Sequence, residues 1–140
     1  MVSIKSILLI EDNSDDAILT MRALEKVAFE FKLDLAKNGP EALEILHNYV
    51  SDGTALPSLI LLDLNLPEVN GIEVLKKIKS DDKTKRIPVV ILTSSIDSGD
   101  MRQCMDLGAN SYIQKPVDFI EFIEVANLIG KYWLSLNETN

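Results

Sequence analysis

Four apolar segments of this 140-residue sequence each end beside residues that can take part in phosphate chemistry. The residues at these ends are three carboxylic acids, a hydroxyl and an ammonium, namely Glu11, Asp12, Asp63, Thr93 and Lys115. In a parallel α/β sheet the carboxyl ends of the strands share one edge, and ligands bind in the crevice there. We therefore expect these side chains to converge on one small site that can hold a divalent cation and a phosphoryl group.

The three acids supply hard oxygen ligands of the kind that Mg²⁺ takes. Glu11, Asp12 and Asp63 are the candidate ligands, and Asn65 can offer its backbone carbonyl. Carboxylates gathered this closely are expected to raise one another's pKa, and a bound cation removes that cost. Asp63 can then act as the nucleophile, because a carboxylate that attacks phosphorus gives an aspartyl-phosphate.

The hydroxyl and the ammonium can stabilise the charge of the transferred group. Phosphoryl transfer depends mainly on positioning and charge stabilisation, and Lys115 supplies a mobile point charge. Thr93 can donate a hydrogen bond to a phosphoryl oxygen. Pro116 follows Lys115, and a cis peptide between them is a candidate means of fixing the direction of the lysine side chain.

The elements that must position these residues alternate between strand-like and helix-like patterns. The four apolar runs, with a shorter run around Leu33 and Leu35, predict five strands. Helix-start residues follow the strands, namely Asn13 or Ser14, Pro40, Asn70, Asp97 or Ser98, and Asp118. Five successive βα units predict a doubly wound parallel sheet with helices on both faces. We expect residues 1–140 to form a single domain with no output domain.

Composition and charge argue against several classes of function. The formal net charge is −8, whereas nucleic-acid binding depends on clustered Lys and Arg. The longest apolar runs are far shorter than a membrane span, and the N-terminal region shows no signal-peptide cleavage pattern. A lone cysteine, Cys104, suits a reducing compartment. We therefore expect a cytoplasmic protein that has neither nucleic acid nor a membrane as its main partner.

Each feature has an ordinary structural explanation when it is taken alone. An acid pair such as Glu11 and Asp12 is commonly a strand-end turn and a helix cap. An aspartate before a Pro-containing loop, a strand that ends in threonine and a Lys-Pro pair are also unremarkable. The specific signal is their combination in this order, each at the end of a separate strand.

Four stretches of the sequence together resemble the receiver domains of two-component response regulators, and the resemblance covers essentially the whole chain. They are Ile10-Glu11-Asp12-Asn13, Leu62-Asp63-Leu64-Asn65-Leu66-Pro67 with Asn70-Gly71, Leu92-Thr93-Ser94-Ser95, and Tyr112-Ile113-Gln114-Lys115-Pro116. The resemblance implies a flavodoxin-like sheet with the strand order 2-1-3-4-5.

The resemblance also implies roles for the residues at the sheet edge. It implies that Asp63 accepts a phosphoryl group from a histidine kinase, that Glu11 and Asp12 hold Mg²⁺, and that Lys115 pairs with the phosphate. Such a protein promotes its own phosphorylation and dephosphorylation without being a dedicated enzyme. Leu64, where some receivers have tryptophan, departs from the pattern without affecting the chemistry.

The same resemblance implies two switch residues and a narrower group of related regulators. Thr93 and Tyr112 are implied to report phosphorylation to the protein surface. The acid pair followed by Asp16, together with longer loops at 48–57 and 80–87, is similar to single-domain regulators paired with phytochrome-type histidine kinases. A kinase of that type is therefore the expected partner.

Two other functions compete with a receiver. Phosphatases and mutases that use an aspartate nucleophile usually need a second aspartate two residues later, and Asn65 occupies that position. A receiver-like binding module without phosphorylation would not need the full set of acid, threonine and lysine. A Mg²⁺-dependent mass gain with a small phosphodonor separates all three functions.

The final predicted helix carries more apolar residues than a core-facing helix needs. One stripe at helical spacing is expected to be core, namely Phe119, Phe122, Ile123, Ala126, Ile129 and Trp133. Val125, Leu128 and Tyr132 lie outside that stripe. Scattered surface hydrophobic residues are normal, but a symmetric contact would use the same patch twice. We therefore expect a homodimer through the fourth helix, fifth strand and last helix.

Overall fold

The computed structural model describes residues 5–26 and 30–136, in which five parallel strands alternate with five helices. The strands are β1 (Lys5–Ile10), β2 (Phe31–Ala36), β3 (Leu59–Leu62), β4 (Val89–Thr93) and β5 (Ser111–Gln114). The helices are α1 (Ser14–Leu24), α2 (Gly39–Ser51), α3 (Gly71–Ser80), α4 (Ser98–Asp106) and α5 (Phe119–Lys131), and a π-helical turn covers Tyr132–Leu136. The strand order is β2-β1-β3-β4-β5, so the predicted fold class and topology are confirmed.

Helices cover both faces of the sheet. Helices α1 and α5 pack on one face through residues such as Leu24 and Phe122. Helices α2, α3 and α4 supply apolar side chains to the other face, among them Leu46, Ile78 and Cys104. Strands β3 and β4 are buried along their whole length, which explains their nearly continuous Val, Ile and Leu composition.

Every helix begins with an Asn or Asp side chain that accepts a hydrogen bond from a backbone N–H of the first turn. The capping residues are Asn13, Asn38, Asn70, Asp97 and Asp118. Such caps satisfy N–H groups that have no partner within the helix. Each of these helices therefore has a defined start in the loop that follows a strand.

Three local expectations from the sequence are wrong. Phe119 is 59% exposed instead of buried, because it is the first residue of α5. Val125 is partly buried against the core and does not belong to an outward-facing arc. The Lys115–Pro116 peptide is trans, like every peptide bond in the described residues.

No helix in the described ranges combines the length and the hydropathy needed to cross a membrane.

Candidate functional site

Backbone hydrogen bonds align the strand ends that carry the predicted site residues. The N–H of Asp63 donates to the carbonyl of Ile10 at 3.0 Å, which fixes the end of β3 beside that of β1. The N–H of Lys115 donates to the carbonyl of Thr93 at 2.7 Å, which joins the ends of β5 and β4. Parallel pairing therefore brings residues from distant parts of the sequence to one edge of the sheet, as the sequence predicted.

Lys115 lies at the centre of the site and contacts three carboxylates. Its Nζ lies 2.7 Å from Oε1 of Glu11, 2.8 Å from Oδ2 of Asp16 and 2.9 Å from Oδ2 of Asp63. A lysine ammonium has three N–H donors, so each donor has one carboxylate partner. Burial alone would lower the pKa of Lys115, but its hydrogen bonds to Asp16 and Glu11 reverse that effect and raise the pKa above its usual value.

Glu11 and Asp63 are buried carboxylates with opposite pKa shifts. Glu11 is 3% exposed and Asp63 is 5% exposed. Burial, reinforced by the neighbouring Asp63, raises the pKa of Glu11 to about 7. Burial also acts to raise the pKa of Asp63, but its hydrogen bond with Glu11 and the charge of Lys115 hold it below its usual value. The expected mutual rise of the pKa is therefore found for Glu11 and is wrong for Asp63, which stays anionic.

Asp12 lies apart from the lysine cluster. Its side chain is exposed, and none of the three ion pairs of Lys115 involves it. In the part of the chain that the structure describes, no three His, Cys, Asp or Glu side chains form a ready metal-binding group. Glu11 and Asp63 are instead paired with the ammonium of Lys115. Glu11, Asp12 and Asp63 therefore stay predicted ligands.

The loop after β3 holds Asp63 from the other side. The N–H of Asn65 donates to Oδ1 of Asp63 at 3.1 Å, and the Asn65 side chain donates to Oγ of Ser94 at 3.1 Å. The N–H of Gly71 donates to the carbonyl of Leu64 at 2.9 Å, which closes the loop onto the start of α3. Asp63 is therefore fixed by backbone and side-chain bonds as well as by Lys115.

Thr93 and Tyr112 meet at a third residue, Ser95. Thr93 is fully buried, and its Oγ1 accepts a hydrogen bond from the N–H of Ser95 at 3.3 Å. The hydroxyl of Tyr112 donates to the carbonyl of Ser95 at 3.3 Å. Burial raises the pKa of Tyr112, so its hydroxyl remains a donor. Sequence reasoning singled out Thr93 and Tyr112 but did not identify Ser95 as the residue that both contact.

In the described part of the chain, several exposed large apolar side chains lie on segments that follow strand ends at this edge of the sheet. This apolar rim consists of Ile18, Ile96, Val117, Phe119 and Ile120, of which Val117 is fully exposed. Ile18 lies on α1, Ile96 precedes α4, and the other three surround the start of α5. Helical periodicity alone does not reveal the rim, because the exposure of a residue near a helix start depends on how far the helix extends beyond the core.

One groove lies away from this sheet edge and contains none of the predicted site residues. It has a volume of about 470 Å³, lies between α2 and α3, and is lined by residues that include His47, Lys77 and Lys83. This groove therefore takes no part in the candidate site, which is defined by its side-chain chemistry.

Known proteins resemble the chain along nearly its whole length. A family model of the response regulator receiver domain matches residues 7–127. The probable methanogenesis regulatory protein FilR2 of Methanothrix harundinacea is 40% identical over 133 residues, which cover 95% of this chain and 86% of that protein. Response regulator Rcp1 of Synechocystis is 35% identical over 131 residues, which cover 93% of this chain and 89% of Rcp1.

Solved structures show the same architecture. The phosphorylated cyanobacterial phytochrome response regulator RcpA superposes with a TM-score of 0.91 at 38% identity, covering 97% of this chain and 98% of RcpA. The Mn²⁺-bound form of Rcp1 superposes with a TM-score of 0.90 at 34% identity, covering 97% of this chain and 99% of Rcp1. Sequence and structure therefore point to the same family.

Proposed function

Because the chain belongs to the response regulator receiver family and acts in phosphorelay signalling, we propose that it is a stand-alone receiver whose phosphoacceptor is Asp63. The observation that carries this proposal is the pairing of a buried, anionic Asp63 with the ammonium of Lys115 at 2.9 Å. A carboxylate kept ionised beside a cation is suited to attack phosphorus. Receivers are signalling proteins and not dedicated enzymes, and promotion of its own phosphorylation is part of our proposal.

The proposed transfer uses residues of this chain in separate roles. One oxygen of Asp63 forms a bond to phosphorus while the P–N bond of a kinase phosphohistidine breaks, and the released imidazole takes up a proton. Lys115 neutralises charge on the phosphoryl oxygens, and the hydroxyl of Thr93 donates to one of them. Most of the rate gain comes from positioning and charge stabilisation, which the bonds of Asn65 and Lys115 to Asp63 provide.

The acids at the site fit a divalent cation, which we propose to be Mg²⁺. Glu11, Asp12, Asp63 and the backbone carbonyl of Asn65 would hold it. Burial, reinforced by the neighbouring Asp63, raises the pKa of Glu11, and a bound cation would favour the charged form of such a carboxylate. When bound, the ion supplies positive charge against the phosphoryl oxygens. The Mn²⁺-bound structure of the relative Rcp1 supports a divalent metal.

Phosphorylation is proposed to act on the surface through Thr93 and Tyr112. Both residues contact Ser95 in the loop between β4 and α4. A hydroxyl drawn toward a phosphoryl group would move this loop and shift a two-state equilibrium. The loop would then change the surface formed by α4, β5 and α5.

The proposed phosphodonor is a histidine kinase, and its phytochrome-type identity is supported by the similarity to RcpA. RcpA is a cyanobacterial phytochrome response regulator. The apolar rim offers a docking surface around the acidic site, since exposed apolar patches mark protein contacts. Val117→Glu should slow transfer from a cyanobacterial phytochrome-type kinase but leave phosphorylation by a small donor unchanged. Equal rates of transfer from the kinase to wild type and to Val117→Glu would contradict docking on the apolar rim.

A homodimer is a further part of the proposal. Leu128 is exposed on α5, and Tyr132 is exposed in the π-helical turn that follows it. Met101 and Met105 are exposed on α4. Between these helices β5 is an edge strand of the sheet. A stable interface buries about 1,000 Å² or more, so both helices would have to take part. The net charge of −8 opposes association, and salt should therefore strengthen the dimer.

Sedimentation of Leu128→Glu beside wild type, with and without a phosphodonor, tests this interface. Ile18→Glu is the matched control, because it places the same charge on an exposed residue of α1. Dissociation of the Leu128→Glu protein alone supports the interface. A monomeric wild type in both states, or normal dimerisation of Leu128→Glu, contradicts it.

Intact-mass measurement with a small phosphodonor tests the phosphoacceptor. Wild type should gain the mass of one phosphoryl group in the presence of Mg²⁺ and lose the gain in chelator. Asp63→Asn should show no gain while it retains its fold. A normal gain in Asp63→Asn would refute the assignment.

A further inference from the structure

The lysine at the site has a third carboxylate partner that lies outside the residues proposed to bind metal or phosphate. Asp16 Oδ2 accepts a hydrogen bond from Nζ of Lys115 at 2.8 Å. From this contact we propose that Asp16 is a positioning residue, which holds the Lys115 ammonium in place for phosphoryl transfer to Asp63. This inference rests on the proposed function of Asp63 and adds a residue to its machinery.

The ammonium of Lys115 can donate three hydrogen bonds. Glu11, Asp16 and Asp63 each take one of the three N–H groups of Lys115. During transfer, the Asp63 carboxylate becomes an acyl phosphate, whose negative charge lies on the phosphoryl oxygens, and Glu11 is a proposed ligand of the metal. Two of the three partners therefore change when the site is loaded. Asp16 is the partner that can keep its hydrogen bond throughout.

Asp16 is itself held firmly by α1. Its backbone N–H donates to Oδ1 of the capping residue Asn13 at 3.0 Å, and its carbonyl accepts from the hydroxyl of Thr20 at 2.8 Å. Thr20 is fully buried. These bonds fix the backbone of Asp16 at the start of a capped helix. Its carboxylate can therefore hold the end of the flexible Lys115 side chain in place.

The burial of the two side chains strengthens the ion pair between Lys115 and Asp16. The side chain of Lys115 is 7% exposed, and that of Asp16 is 28% exposed. Solvent therefore screens this pair less than an ion pair on the open surface. A lysine side chain is long and has many rotamers. A hydrogen bond to Asp16 that persists throughout the transfer restricts the rotamers of Lys115. Loss of Asp16 should leave Lys115 inside the site but less well aimed at the phosphoryl group.

The expected effect is on the rate of transfer and not on metal binding. Asp16→Ala should lower the maximal rate of phosphorylation at saturating small donor by roughly ten- to a hundredfold, which corresponds to one lost hydrogen bond between charged groups. The affinity for Mg²⁺ should stay within about twofold of wild type, because Asp16 lies outside the proposed ligand set and its charge is paired with Lys115. Asp16→Asn keeps an acceptor oxygen and should recover part of the rate.

Asp15→Ala is the matched control. Asp15 is the exposed neighbour of Asp16 in the same helical turn, so its removal makes the same change in net charge. It should phosphorylate at the wild-type maximal rate. A difference between the Asp15 and Asp16 variants therefore reports the contact with Lys115 and not the charge of the first turn.

A spectroscopic measurement tests the contact without any phosphorylation. In nitrogen-15 NMR spectra of the lysine ammonium groups, the Lys115 signal should be protected from hydrogen exchange in wild type and in Asp15→Ala. Exchange should be faster in Asp16→Ala. If wild type is not phosphorylated at all, the proposed function fails, while this measurement still supports or overturns the anchoring of Lys115.

Three results would overturn the inference. The first is an Asp16→Ala protein that phosphorylates at the wild-type maximal rate. The second is a loss of Mg²⁺ affinity in Asp16→Ala as large as in Asp12→Ala, which would make Asp16 part of the metal site. The third is an Asp16→Asn protein as slow as Asp16→Ala, and this variant also decides the matter if the alanine protein does not fold.

Discussion

Gly71 lies directly against the peptide that follows the proposed phosphoacceptor, and a Cβ added there would lie 2.5 Å from the carbonyl oxygen of Asp63. The same Cβ would lie 2.5 Å from Cα of Leu64. Both neighbours are backbone atoms, so neither can rotate away. The position of the loop that carries Asp63 therefore depends on a glycine at the start of α3.

Gly71→Ala should destabilise the protein by about 1–3 kcal/mol, as overpacking of a close contact does, and should also slow phosphorylation because Asp63 is displaced. Chemical denaturation and intact-mass kinetics measure the two effects. Gly53→Ala is the control, since Gly53 has a positive φ of 67° but its Cβ would meet no atom within 4 Å. The control should lose stability without slower phosphorylation. Equal phosphorylation rates in both variants would contradict this role of Gly71.

Mg²⁺ should raise the thermal stability of the wild-type protein, because a ligand that binds the folded state stabilises it. Asp12→Ala should lose most of that gain, although Asp12 is exposed and its loss should hardly affect folding. Asp106→Ala, which removes an exposed carboxylate from the end of α4, should keep the full gain. An unchanged shift in Asp12→Ala would remove Asp12 from the metal site.

The pKa of Glu11 predicts how stability changes with pH in metal-free protein. Its value in the folded state is about 7, above the ordinary value of 4.5, so the folded protein binds a proton that the unfolded chain has released. The contribution of Glu11 to stability is therefore complete below the ordinary pKa and is lost as the pH rises through about 7.

Thermal unfolding in chelator measures this effect, with Glu11→Gln as the reference because it cannot titrate. Between about pH 5 and about pH 8, wild type should lose stability relative to Glu11→Gln. Parallel curves for the two proteins would show that the pKa of Glu11 is not raised.

Thr93→Ala should still be phosphorylated on Asp63, because a hydroxyl that reports the phosphate is not required for the transfer itself. Its phosphate-dependent change in dimerisation should shrink, since the hydrogen bond from Ser95 to Thr93 is lost. Tyr112→Phe removes the bond to the carbonyl of Ser95 and should weaken the same response. Sedimentation with and without phosphodonor measures both variants. A phosphate-dependent change in dimerisation as large in Thr93→Ala as in wild type would exclude coupling through Thr93.

The parts of the site that backbone topology determines were predictable from the sequence. Apolar runs identify the strands, and parallel pairing brings their carboxyl ends together, so the proximity of Glu11, Asp63 and Lys115 followed without a structure. The caps at Asn70 and Asp118 were also predictable, because their side chains act on N–H groups only a few residues away.

The parts that depend on long-range geometry were not predictable. The contact between Asp16 and Lys115 spans 99 residues and depends on how α1 lies over the sheet edge. The lowered pKa of Asp63 depends on the balance between burial, Glu11 and Lys115, and that balance needs distances. The exposure of Phe119 depends on where α5 leaves the core, which helical periodicity does not reveal.

The most direct test of the central claim is to locate the phosphoryl group on the chain. After reaction with a small phosphodonor and Mg²⁺, borohydride reduction converts an aspartyl-phosphate into homoserine, and peptide mass spectrometry identifies the modified position. We predict homoserine at Asp63 and unmodified Asp12 and Asp16. Homoserine at another aspartate, or a phosphorylated side chain that borohydride does not reduce, would contradict the assignment of Asp63 as the phosphoacceptor.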